Sequence, residues 1–114
     1  MSSLIIINDP PYGTERLYNG LRLAHALIKR GEDVTVFLMG DAVVGAKQGQ
    51  KTPEGFYNAE RMVHRVTAKG RVLLCGTCMD ARGMTDKETV KGAERSTMDA
   101  LAEATVQADQ VLVF

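Results

Sequence analysis

An α/β fold on a mainly parallel sheet is predicted by three features of this 114-residue chain. Short apolar runs alternate with segments of helical periodicity along the whole length. The runs are apolar throughout rather than on every second residue, the pattern of strands buried on both faces. Glycines punctuate the boundaries, as at Gly31 and Gly70. The length fits one domain over residues 1–114.

Residues 4–8 read as the first buried strand. Asp9-Pro10-Pro11-Tyr12-Gly13 ends it, because two prolines remove donors and glycine breaks the pattern. Thr14 is placed to cap a helix, Glu15 suits its first turn, and Leu17, Leu21, Ala24, Leu27 and Ile28 then share one face. Residues 33–38 form the second strand. Residues 42–46 make one or two helical turns, and 47–55 make a loop around two glycines and Pro53. Phe56, Ala59, Val63 and Val66 mark the next helix, and residues 72–75 the third strand. Thr85-Asp86-Lys87-Glu88 resembles a helix start that Gly92 cuts short, with residues 90–94 as a short extended segment. Ser96, with Asp99 three positions on, opens the last helix, whose face carries Met98, Leu101, Ala102 and Thr105. Residues 110–114 form the final strand.

Right-handed crossovers fold these four strands into a small flavodoxin-like, three-layer arrangement, in the order second-first-third-fourth, with helices on both faces. The two sheet edges must be hidden, by an oligomer or by charged side chains. Ligands in open α/β sheets collect beyond the carboxyl ends of the strands, where the strand order reverses. For this order that point lies between the first and third strands, which brings residues 8–14 beside 76–84. A small anionic or nucleotide ligand there would meet Asn8, Tyr12, Thr14, Gly76, Thr77 and Arg82.

Charge and hydropathy exclude other classes. Lys plus Arg and Asp plus Glu are 14 each, so no net field recruits nucleic acid or an anionic membrane. No apolar run approaches the roughly 20 residues of a membrane span. No charged-then-apolar leader opens the sequence, so a cytoplasmic location with reduced cysteines is expected. The loop at residues 9–14 has neither dinucleotide nor P-loop spacing, and no cofactor is expected.

The chemistry concentrates in Cys75-Gly76-Thr77-Cys78-Met79-Asp80-Ala81-Arg82-Gly83. Cys75 belongs to the apolar strand and reads as a small buried hydrophobe. Cys78 lies beyond Gly76 and reads as the accessible thiol. A thioredoxin-type pair wants its cysteines at a helix start, and here glycine returns five residues after Cys78, which weakens that setting. A structural zinc site wants four ligands, and His25 and His64 fall in helices away from the pair, so no metal is expected. A single working thiol at Cys78 would need its pKa lowered, and Arg82 is placed to help unless Asp80 engages it.

This segment resembles the DsrE/DsrF-like (YchN/TusD-type) sulfur-relay family. Matching phrases include the opening Ile-Ile-Ile-Asn-Asp-Pro-Pro-Tyr-Gly, Val36-Phe37-Leu38-Met39-Gly40-Asp41-Ala42, and the ending Ala108-Asp109-Gln110-Val111-Leu112-Val113-Phe114. The resemblance implies a homo-oligomer (trimer or hexamer). It also implies a sulfur carrier or sulfurtransferase subunit, with Cys78 accepting persulfide sulfur from a protein donor and passing it to an acceptor. Two alternatives stand beside it. One is an oligomeric small-ligand-binding module without catalysis, and the other is a Cys75/Cys78 thiol–disulfide redox protein.

Overall fold

The computed structural model describes residues 1–114. Five strands, all parallel, form one sheet: β1 (Ser2–Ile7), β2 (Asp33–Leu38), β3 (Arg71–Cys75), β4 (Ala93–Ser96) and β5 (Gln110–Val113). The helices are α1 (Arg16–Lys29), α2 (Ala59–Thr67), α3 (Gly76–Ala81) and α4 (Met98–Gln107), with 3-10 turns at Gly40–Ala46 and Asp86–Glu88. The α/β class with helices on both faces is as expected.

The strand order is not. It runs β4-β3-β2-β1-β5, so β3 pairs with β2 rather than with β1. Right-handed crossovers govern the side on which a connecting helix lies, and they leave open the direction in which the next strand is laid down. Here β1 to β4 advance steadily one way, and α4 carries the chain back across the sheet to β5. The order therefore reverses between β1 and β5. The cysteine loop lies two strands from β1, flanked by β2 and β4, and not at the reversal.

The fifth strand is β4, with sequence Ala-Glu-Arg-Ser. Its apolar content is too low to signal a strand, because it is an edge whose Glu94 and Arg95 are exposed. The inner strands carry the core: Leu4, Ile5, Ile7, Val34, Val36, Leu38, Val72 and Leu74 are all buried. α1 and α2 pack together over one face, where Gly20 meets Ile7 and the His25 ring bonds the Met62 carbonyl at 2.9 Å. On the other face α4 buries only Leu101, while Met98 and Ala102 of its expected apolar stripe are exposed.

Three helix starts shift by one to three residues. Glu15 takes the cap position of α1 without a side-chain bond, and Thr14, one residue earlier, donates its hydroxyl to Asp9 at 2.9 Å and accepts from the Arg16 N–H at 3.4 Å. α2 starts after Asn58, whose side chain accepts from the Arg61 N–H, so Phe56 lies outside it. Ser96 closes β4, and Thr97 caps α4 by accepting from the Ala100 N–H at 3.1 Å.

Candidate functional site

β3 delivers Cys75 to the carboxyl edge of the sheet, in register with Ser96 of β4. Side chains alternate along a strand, so Leu74 faces the α1–α2 layer and Cys75 faces the α4 side. Cys75 is 8% exposed and opens into a cavity of about 320 Å³ lined also by Phe37, Thr77, Arg95, Thr97 and Met98.

Contrary to the sequence expectation, a helix begins at once. α3 is six residues long, with Cys75 at its cap and Cys78 in its first turn. The glycine that argued against a helix is what ends it. Gly83 adopts φ +66°, its N–H bonds the Asp80 carbonyl, and the Met84 N–H reaches back to the Met79 carbonyl at 2.9 Å. This is a Schellman closure, with Met79 and Met84 both buried beneath it. At the other end position 76 is crowded, because a Cβ there would lie 3.0 Å from Arg95 Nη1 and 3.2 Å from the Ser96 carbonyl oxygen.

Both thiols are free, Cys75 at the cap of α3 and Cys78 three residues on in its first turn. Cys75 Sγ is also 3.3 Å from the Thr77 hydroxyl. Burial alone would raise the Cys75 pKa, but hydrogen bonds from the Cys78 and Thr77 side chains and backbone hold it below the ordinary value. Cys78 moves the other way. Burial and then the Cys75 sulfur raise it, outweighing the Gly40 backbone N–H and the Arg82 charge. The two thiols therefore titrate as one coupled pair, Cys75 held below and Cys78 above the ordinary value.

Arg82 makes its hydrogen bonds to Asp41 and to the Cys78 backbone. Its Nε and Nη2 meet Asp41 Oδ1 at 2.9 and 2.8 Å, and Nη1 donates to the Cys78 carbonyl at 3.0 Å. Asp80 pairs instead with Arg95 Nη1 at 3.1 Å. Arg95 also meets Asp86 at 2.8 Å and the Gly76 carbonyl at 3.1 Å. Sequence reasoning missed Gly40, Asp41 and Arg95. The first two follow β2, which becomes a neighbour of the cysteine loop only in the observed strand order. Arg95 lies in the unrecognised edge strand.

The expected ligand pocket is not assembled. Asn8 bonds the Phe114 carbonyl through its backbone N–H at 2.9 Å. Tyr12, held at φ +70°, stacks on Tyr57, donates from its hydroxyl to Gln50 and accepts from the Ala59 N–H. Thr14 is bonded to Asp9. None of the three lines the cavity shared by Gly76 and Thr77. His64 is exposed on α2, and no three His, Cys, Asp or Glu side chains converge as a metal site. No helix is long and apolar enough to cross a membrane.

The model of the DsrE/DsrF-like family matches residues 1–114. Protein YchN of Escherichia coli strain K12 is 44% identical over 114 residues, covering 97% of both chains. The crystal structure of the E. coli ychN protein superposes with a TM-score of 0.92 at 43% identity, covering all of both chains. Sulfurtransferase TusD of Salmonella typhi is 27% identical over 128 residues, covering all of both chains.

Proposed function

The chain belongs to the DsrE/DsrF-like family, and from that premise we propose that it is a sulfur carrier of sulfurtransferase type, with Cys78 as the sulfur-bearing residue. The observation that supports this reading is the free, partly buried Cys78 in the first turn of α3, with a second free thiol, Cys75, at the cap of the same helix. The distant relationship to a sulfurtransferase supports the chemistry.

The Cys75–Cys78 pair loses its first proton more easily than an isolated buried thiol, and Cys75 takes up the proton that leaves Cys78. The Cys78 sulfur then attacks the outer sulfur of a donor persulfide. The new S–S bond forms as the donor's S–S bond breaks, and the donor leaves as a thiolate. The Gly40 N–H favours negative charge at Cys78, and the strap from Arg82 to Asp41 holds α3 over the end of β2. In this reading the donor and acceptor are proteins. The protein is a homo-oligomer, trimeric or hexameric, that covers exposed apolar residues such as Val111 and Val113 of edge strand β5.

The test is loading with glutathione persulfide followed by mass spectrometry of the tryptic peptide 72–82, which holds both cysteines. At the earliest times after mixing, wild type should carry one added sulfur on Cys78, and Cys78→Ala should not. Equal loading of the two would remove Cys78 from its assigned role.

A further inference from the structure

We propose that Cys75 resolves the persulfide on Cys78, so that the protein releases its sulfur as hydrosulfide and closes a Cys75–Cys78 disulfide. This rests on the reading of Cys78 as the persulfide-bearing residue and adds a fate for the sulfur.

Three observations carry it. The thiols flank the start of α3, where helical geometry puts residues three apart roughly 5 Å from each other at Cα, inside the span a disulfide bridges. The extended chain would have held them too far apart. Both thiols are free and occupy the cap and the third position of the same short helix, so a persulfide on Cys78 has a nucleophile one turn away from its inner sulfur. The two sulfurs also differ in access. Cys75 is buried at the strand end, whereas Cys78 is partly exposed beside Gly40 and Arg82. An incoming protein therefore reaches Cys78 first, and Cys75 meets chiefly what Cys78 already carries.

The step balances without a further reactant. Cys75 thiolate attacks Cys78 Sγ, the bond from Sγ to the outer sulfur breaks, and that sulfur leaves with the electron pair as HS⁻. The outer sulfur is reduced to sulfide and the Cys75 sulfur is oxidised in its place, while Cys78 Sγ stays at the disulfide level throughout. A dithiol reductant completes the cycle by attacking the accessible Cys78 sulfur. Cys75, whose thiolate the surrounding hydrogen bonds favour, is then the better leaving group.

The experiment is a single turnover. Wild type, Cys75→Ser, Cys75→Ala and Cys78→Ser are each mixed with less than one equivalent of glutathione persulfide. Released sulfide and the state of peptide 72–82 are followed in time. Wild type should release about one sulfide per sulfur loaded while its peptide becomes the internal disulfide. Both Cys75 variants should hold a Cys78 persulfide at least tenfold longer and release little sulfide, and agreement between serine and alanine separates loss of the thiol from misfolding. If wild type keeps its persulfide as long as the Cys75 variants and forms no disulfide, resolution by Cys75 is overturned and the carrier reading stands. If no variant retaining Cys78 loads at all, both are overturned. Equal sulfide release by Cys78→Ser would overturn the route through Cys78.

Discussion

Arg82 and Asp41 form a two-pronged contact in which Nε and Nη2 of the guanidinium share one carboxylate oxygen, at 2.9 and 2.8 Å. It joins the end of α3 to the turn after β2, and the third guanidinium nitrogen holds the Cys78 carbonyl. The side chains are 31% and 61% exposed, so solvent screens the pair. With the carbonyl bond included, Arg82→Ala should cost about 1 kcal/mol, a fall of roughly 5 °C in Tm. Asp41→Ala should slow persulfide loading of Cys78 in the same direction as Arg82→Ala, because both release α3. Loading that falls in Arg82→Ala and not in Asp41→Ala would assign Arg82 a direct electrostatic role instead.

The opposed thiol shifts set the alkaline stability profile. Cys75 has a folded pKa below the ordinary 9.0, so its contribution is complete above 9.0 and is lost as pH falls through the folded value. Cys78 has a folded pKa above 9.0, so its contribution is complete below 9.0 and is lost as pH rises through the folded value. Relative to Cys75→Ser, wild-type stability should rise as pH approaches 9.0. Urea midpoints at a series of pH values measure this, and thiolate absorbance should show one ionisation below 9.0 in wild type that Cys75→Ser lacks. An unchanged titration in Cys75→Ser would place the low-pKa thiol elsewhere.

How much of this was legible in the sequence depends on what each element buries. Leu4, Val36 and Leu74 lie on strands with both faces covered, so their apolar runs identify β1, β2 and β3 directly. Glu94 and Arg95 lie on an edge, where side-chain hydrophobicity carries no strand signal. The cysteine loop was located correctly at the end of β3, but its conformation turned on Gly83. A glycine five residues after Cys78 reads equally as a helix breaker or as the left-handed residue that terminates a short helix, and only the Met84-to-Met79 hydrogen bond decides. The neighbours of Cys78 were hidden for a topological reason: Gly40 and Asp41 reach it because β3 lies beside β2.

Tyr12 separates loop architecture from site chemistry. Its hydroxyl bonds Gln50 and accepts from the Ala59 N–H at 3.0 Å, while its backbone N–H donates to the Tyr57 hydroxyl at 2.6 Å. Tyr12→Phe keeps the ring stack, with centroids 5.0 Å apart, and leaves the first-turn donor of α2 unpaired. The expected loss is about 1 kcal/mol in chemical denaturation, with persulfide loading of Cys78 unchanged. A variant of normal stability whose loading falls would return this loop to the functional site.

Gly76 and Arg95 should behave as a coupled pair. An alanine at 76 would gain helix propensity, but its Cβ would sit 3.0 Å from Arg95 Nη1, 3.1 Å from Arg95 Cγ and 3.2 Å from the Ser96 carbonyl oxygen. Crowding of this kind costs about 1–3 kcal/mol, against a propensity gain of up to about 1 kcal/mol. Gly76→Ala should therefore be destabilising by about 1 kcal/mol. Two of the three close contacts belong to the Arg95 side chain, so the penalty should shrink by half or more when Gly76→Ala is made in an Arg95→Ala background. Residues in direct contact couple in this way, whereas independent sites add. A four-member cycle of urea denaturation curves measures the coupling. An undiminished penalty in the double variant would make the immobile Ser96 carbonyl, and not the arginine, the group that requires glycine at this position.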